Sequence, residues 1–215
     1  MNKNFTYFSS SHVDLHGKDI LKFEDSYTSK FTNLNRKKES LLARLLLDNL
    51  CLKHTSNNLF NLGFSKGNLG NPFFSKKENL FCSITHSYGW VVVAISSSPI
   101  GIDFEKIDLS NSKDLKIAFS TKEWTLYKDS PMDIFKFFSL KESYTKFIGK
   151  GFNIEPNKVE VGIDVNTFHK FFKTNKLDQF ILTVVSQQKL SINFKEIIDL
   201  NVDKYLNQLS VNKCK

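Results

Sequence analysis

Phe138-Ser139-Leu140-Lys141-Glu142-Ser143-Tyr144-Thr145-Lys146-Phe147-Ile148-Gly149-Lys150-Gly151 is the stretch on which the reading of this chain turns. As a helix it has an oily face and a charged face. Leu140, Tyr144, Phe147 and Ile148 recur at the spacing of a buried stripe. Glu142 and Lys146 lie one turn apart on a different face, with Glu on the N-terminal side, the better order for an i,i+4 pair. Gly149 and Gly151 then stop the helix. Taken alone, this is an amphipathic helix with one surface ion pair. Anything more depends on what the rest of the chain brings to Glu142 and Lys146.

Upstream, Ile100-Gly101-Ile102-Asp103-Phe104-Glu105 alternates with a period of two. It reads as a strand with Asp103 and Glu105 on one face and Ile102 and Phe104 on the other. Two neighbouring carboxylates repel, so the pair needs either solvent or a cation. With no His or Cys beside them, a hard ion such as Mg²⁺ or Mn²⁺ fits. The alternative is an exposed edge strand that turns its polar residues outward.

Leu80–Thr85 and Trp90–Ile95 form a strand pair about the polar turn His86-Ser87-Tyr88-Gly89. The second run is continuously apolar and β-branched, the mark of a strand buried on both faces. His86, where the chain leaves the sheet beside Thr85 and Ser87, is either an ordinary surface histidine or a donor to a phosphate oxygen. Further back, Asn35–Leu50 reads as a strongly apolar core helix. Arg36, Lys37 and Lys38 at its start oppose the helix dipole. They are either a solvated end or a grip on an anion.

The remaining segments carry less chemistry. Phe5–Phe8 reads as a short strand followed by the loop Ser9–His12. Residues 53–80 read as loop, and Gly63, Gly67 and Gly70 fit neither a P-loop nor a dinucleotide fingerprint. Ser110–Lys116 is expected to be helical, and Ser120 with Glu123 forms a capping-box pattern. Asp129-Ser130-Pro131 opens the segment that runs into the quoted helix. Val159–Ile163, Phe180–Val185 and Ser191–Phe194 are expected strands, and the tail from Ile197 to Lys215 is expected to fray.

Composition bounds the rest. At 215 residues, 40% hydrophobic and 24% charged, the chain makes one large or two small globular domains rather than a disordered segment. A net charge of +8 favours a polyanionic partner: nucleic acid, anionic lipid, a phosphorylated small molecule or an acidic protein. Cys51, Cys82 and Cys214 are far apart and form no C-x-x-C, so neither a disulfide framework nor a thiolate zinc site is expected. That suits a reducing cytoplasm. The first residues lack the apolar run of a signal peptide, and no stretch approaches the ~18 apolar residues of a membrane span.

Four stretches line up with one family: Arg36–Arg44, Ser83-Ile84-Thr85-His86-Ser87, Gly101-Ile102-Asp103-Phe104-Glu105, and Ser139–Ser143 with Lys146, Gly149 and Gly151. In this order they resemble the 4′-phosphopantetheinyl transferases of the surfactin-synthetase-activating type. The last two match that family's motifs G-I-D-x-E and (W/F)-x-x-K-E-(A/S)-x-x-K-x-x-G-x-G. The resemblance implies an α+β fold of two similar lobes related by a pseudo-twofold axis, with coenzyme A between them. Residues 1–100 would form the N-terminal lobe, 101–200 the C-terminal lobe with the metal site, and 201–215 a basic tail. The resemblance also implies Asp103, Glu105 and Glu142 as ligands of Mg²⁺, with Mn²⁺ an alternative. Thr85, His86, Arg36 and Lys37 would contact the phosphates of coenzyme A, and Gly70-Asn71-Pro72 would lie against its adenine side. Asn71 stands where the family commonly has Lys, Thr85 where it has Ser, and Phe138 where Trp is commoner.

The implied activity is transfer of the phosphopantetheine arm to a serine of an acidic acyl or peptidyl carrier protein, with release of 3′,5′-ADP. Lys146 would stabilise the charge that builds, and Glu142 would take the serine proton, directly or through a metal-bound water. A cytoplasmic monomer that binds neither nucleic acid nor membrane is expected. The rival readings are a basic nucleic-acid-binding protein and a Mg²⁺-dependent nuclease using Asp103 and Glu105. The first leaves unexplained why acidic residues recur inside apolar strand and helix contexts.

Overall fold

The computed structural model describes residues 5–16, 18–25, 27–150, 154–159, 161, 171–177 and 179–189. The chain order is β1 (Thr6–His12), α1 (Leu34–Thr55), β2 (Phe64–Lys66), β3 (Pro72–Phe74), β4 (Phe81–Ser87), β5 (Trp90–Ser96), β6 (Ile100–Lys106), α2 (Thr121–Tyr127), α3 (Pro131–Phe147), β7 (Phe171–Leu177) and β8 (Phe180–Ser186). The fold is therefore mixed α+β.

The first antiparallel sheet has the order β1-β5-β4. The apolar run of β5 takes the central place, as its composition required, and is hydrogen-bonded on both edges. One edge is closed by a β1 longer than the sequence suggested. Ser9, Ser10 and Ser11 belong to the strand, opposite Val93, Val92 and Val91. Three serines in a row carry a turn signal, but small side chains fit beneath the rest of the fold and pairing with β5 overrides local preference. The hairpin between β4 and β5 turns on Tyr88 and Gly89, at φ 50° and 80°. Positive φ at both central residues fits a two-residue type I′ turn. His86 and Ser87 thus lie in β4 rather than in the turn.

Helix α1 covers this sheet. Leu42, Leu46, Leu47 and Cys51 are buried in a core shared with Val91, Val93 and Ile95. Asn33 caps its start, accepting the Arg36 N–H at 3.1 Å. The segment read as loop contains the short β2–β3 hairpin.

The second antiparallel sheet has the order β6-β8-β7, and α3 packs on β6 and β8. Pro131 opens α3 at its first turn, where a missing N–H costs nothing. The capping box of Ser120 and Glu123 at the start of α2 is present as read. Leu109–Ala118 is 3₁₀ helix. Strand β7 was not anticipated, because Lys173-Thr174-Asn175-Lys176 reads as polar. Val159 and Val161 are buried but lie in no strand, and the rest of Val159–Ile163 falls outside the described residues, as do Ser191–Phe194, the tail from Ile197 and Gly151.

The two sheets meet where β4 runs beside β6. They share no backbone ladder; the hydroxyls of β4 make the joint. Ser83 Oγ accepts the Ile102 N–H at 3.1 Å, Thr85 Oγ1 the Phe104 N–H at 3.1 Å, and Ser87 Oγ the Lys106 N–H at 3.3 Å. An apolar cluster of Val92, Ala94, Ile102, Phe104, Leu182 and Val184 spans the junction. Among the described residues, no helix is long and apolar enough to cross a membrane.

Candidate active site

Glycine 101 brings α3 down onto β6. A Cβ at this position would lie 1.9 Å from the Ser143 carbonyl oxygen and 2.5 Å from the Phe147 nitrogen, so only glycine allows this approach. The contact sets α3 over the carboxylates of β6. Lys146 Nζ reaches Asp103 Oδ1 at 2.8 Å and Thr85 Oγ1 at 3.3 Å. Lys146 therefore pairs across to β6. Of the expected stripe, Leu140, Tyr144 and Phe147 face the core with Val159, Val161 and Val185, whereas Ile148 caps the helix and lines a neighbouring cavity.

Strand β6 is not an exposed edge. Asp103 is 2% exposed, and its Oδ2 is buried without a hydrogen-bond partner. Burial, and then the charge of Asp103, push the Glu105 carboxyl up to about 8, while Lys146 and the Ser87 hydroxyl draw it back down. Glu142 is raised as well, by burial and then by Asp103, with Lys146 opposing. Three carboxylates thus share one ammonium.

This donor set fits a hard divalent cation: oxygen ligands only, excess negative charge, and a buried oxygen lacking a partner. In their present rotamers, among the described residues, no three His, Cys, Asp or Glu side chains converge into a ready cage. The fit rests on charge and on the orphaned Asp103 oxygen.

Beside this cluster lies a cavity of about 760 Å³. Its walls come from α1, the β2–β3 hairpin, β4 and the end of α3. Arg36, Gly70, Asn71, Pro72, His86 and Lys146 all line it, so the structure unites six residues that sequence singled out separately. Lys66 joins them, although only its charge marked it in the sequence. Lys37 does not line the cavity; it donates to Glu24 Oε1 at 2.9 Å. Thr85 does not line it either and is 4% exposed.

His86 has a half-exposed side chain, with Nδ1 3.3 Å from Glu39 Oε2. The other oxygen of Glu39 accepts the Gly89 N–H at 3.3 Å. Burial lowers the His86 pKa, Glu39 opposes this, and the charges of Lys146, Arg36 and Lys66 lower it further. Three cations thus act on one imidazole, and the cavity around it carries positive potential.

Sequence reasoning missed a second charged pair. Lys141, next to Glu142, is 0% exposed and donates to Glu123 Oε2 at 2.6 Å and to the Pro156 carbonyl at 2.9 Å. Glu123 had signalled itself only as a capping residue.

A cation-lined cavity joined by one lysine to a carboxylate cluster is chemically suited to a phosphorylated ligand. Comparison with known proteins narrows this. Residues 99–192 match the model of the 4′-phosphopantetheinyl transferase superfamily. The chain is 36% identical over 156 residues to 4′-phosphopantetheinyl transferase gsp of Aneurinibacillus migulanus, an overlap covering 68% of this chain and 63% of that protein. It is 29% identical over 154 residues to 4′-phosphopantetheinyl transferase ffp of Bacillus subtilis, covering 65% and 69%. It is 31% identical over 120 residues to 4′-phosphopantetheinyl transferase Sfp of Bacillus subtilis strain 168, covering 54% of each. The chain is thus similar to 4′-phosphopantetheinyl transferases, most clearly over residues 99–192, and spans 63% of the length of gsp.

Proposed function

We propose that this protein moves the 4′-phosphopantetheine arm of coenzyme A onto a serine of an acyl or peptidyl carrier protein, releasing 3′,5′-ADP. The observation that carries the reading is Lys146, which lines the cation-rich cavity and also binds Asp103 in the carboxylate cluster. An anionic nucleotide held in the cavity would bring its pyrophosphate to the cluster.

The chain's own groups divide the work. Arg36, Lys66 and His86 hold phosphate, and Gly70-Asn71-Pro72 borders the adenine side. The serine Oγ attacks the β-phosphorus, the bond from that phosphorus to the bridging oxygen breaks, and 3′,5′-ADP leaves with that oxygen. Lys146 stabilises charge building on the phosphate oxygens. Glu142 accepts the serine proton, a role suited to a carboxylate whose pKa burial has raised. Asp103, Glu105 and Glu142 would hold Mg²⁺ or Mn²⁺, which when bound would neutralise pyrophosphate charge.

The two sheet-and-helix halves support a reading as pseudo-symmetric lobes, residues 1–100 and 101–200, with 201–215 as a basic tail. The net charge of +8 supports steering toward an acidic carrier protein. We read the protein as a cytoplasmic monomer without a nucleic-acid or membrane partner. The test is to incubate it with coenzyme A, Mg²⁺ and an apo carrier protein and weigh the carrier. A gain of one phosphopantetheine arm, lost in Glu142→Ala, is expected. No gain on several carriers, together with nicking of DNA, would replace this reading with the nuclease.

A further inference from the structure

Thr85 matches a family position implied to touch the coenzyme's phosphates, yet its hydroxyl has nothing left to offer a ligand. A hydroxyl has one proton to donate and two lone pairs to accept with. Thr85 Oγ1 accepts the Phe104 N–H at 3.1 Å, accepts Lys146 Nζ at 3.3 Å, and donates to Asp103 Oδ1 at 3.4 Å. Its side chain lies inside the β4–β6 joint. Two residues on, Ser87 repeats the arrangement: Oγ accepts the Lys106 N–H at 3.3 Å and donates to Glu105 Oε2 at 3.4 Å. Thr85 and Ser87 therefore each take the N–H of one β6 residue and hand their own proton to the carboxylate of the residue before it.

We infer that Thr85 and Ser87 are positioning residues, which fix the carboxylates of Asp103 and Glu105 and, through Thr85, the ammonium of Lys146, and that Thr85 makes no contact with the nucleotide. The inference rests on the transferase reading above and adds to it a device the family motif does not describe. The geometry accounts for the choice of side chains. An aliphatic residue at position 85 would leave the buried Phe104 N–H unpaired and would free Asp103 and Lys146 to turn. Strand pairing between β4 and β6 would satisfy the same N–H groups, but it would leave no hydroxyl proton for the carboxylates. The joint between the sheets and the setting of the acidic cluster are thus one set of bonds.

The test uses the full chain and the variants Thr85→Val, Thr85→Ser and Ser87→Ala. Three quantities are read: kcat with KM for coenzyme A, the Kd for 3′,5′-ADP by calorimetry in metal-free buffer, and the Kd for Mn²⁺ by electron paramagnetic resonance. Thr85→Val is expected to lower kcat about tenfold or more and to weaken Mn²⁺ binding, with the Kd for 3′,5′-ADP within about twofold of wild type. Thr85→Ser keeps the hydroxyl and is expected to restore both. Ser87→Ala is expected to weaken Mn²⁺ binding in the same way and carries the test if Thr85→Val fails to fold. A Thr85→Val protein that loses 3′,5′-ADP affinity at unchanged Mn²⁺ affinity would make Thr85 a ligand contact and overturn the inference. So would Ser87→Ala with wild-type kcat and Mn²⁺ binding. A wild-type protein that binds no 3′,5′-ADP and modifies no carrier would instead refute the transferase reading.

Discussion

Lys141→Met removes the ammonium from a pair in which both side chains are sealed from solvent, at 0% and 1% exposure and 2.6 Å apart. What remains is the Glu123 carboxylate. Its Oε2 keeps the Ser120 N–H at 2.9 Å, while Oε1 is already buried without a partner. Removing one member of such a pair costs about 3–5 kcal/mol, because the other charge stays buried. For a chain of this size, with roughly 2–4 °C of Tm per kcal/mol, Tm is expected to fall by about 6–20 °C. The assay is urea unfolding followed by Trp124 fluorescence, since Trp124 adjoins Glu123 and its ring lies 6.1 Å from that of Phe119. The cycle is closed with Lys141→Met/Glu123→Leu. Replacing both charges by apolar groups is expected to recover most of the loss, leaving a deficit of about 1 kcal/mol from the vanished capping box. A single variant within about 1 kcal/mol of wild type, or a double variant no more stable than the single, would refute the reasoning.

Three further outcomes follow from the same geometry. Gly101→Ala drives a Cβ into the Ser143 carbonyl and is expected to cost at least about 2 kcal/mol in urea unfolding, together with the proposed transferase activity; wild-type values for both would show that α3 does not rest on β6 as described. Glu105 is raised to about 8 in the fold from an ordinary 4.5, so its protonated form is the one the fold favours. Its contribution to stability is complete below 4.5 and is lost as pH rises through about 8. A divalent cation competes with that proton, so Mg²⁺ is expected to raise Tm more at about pH 8.5 than at about pH 5.5; an equal rise at both would contradict this. Lys66→Ala is expected to weaken 3′,5′-ADP binding about tenfold, the weight of one charge-assisted contact, and an unchanged Kd from calorimetry would remove Lys66 from the site.

What the sequence disclosed followed from periodicity and local chemistry. The apolar run of β5 announced a central strand, the period-two alternation of β6 placed Asp103 and Glu105 on one face, and Ser120 with Glu123 announced a helix start. The metal-ligand candidates and six of the cavity residues could be singled out through the family resemblance that the motifs carry. The rest depended on tertiary partners. Ser9-Ser10-Ser11 is strand only because β5 needs a neighbour on that edge. Lys173–Lys176 looks like loop until β8 pairs with it. Lys37 stood in a cationic run that looked uniform, yet Glu24, 13 residues away, takes it up. The buried Lys141–Glu123 pair and the hydroxyl joint of β4 with β6 bridge positions 18 to 19 residues apart, with no local pattern to signal either.

The most direct test follows the serine itself. An apo carrier protein is treated with the wild-type protein, coenzyme A and Mg²⁺, and tandem mass spectrometry reads the position of the modification while 3′,5′-ADP is quantified in the same tube. The expected result is one phosphopantetheine arm on one carrier serine for each 3′,5′-ADP released, with both lost in Lys146→Met. An unmodified carrier, or 3′,5′-ADP formed without any modified serine, would contradict the proposed transfer.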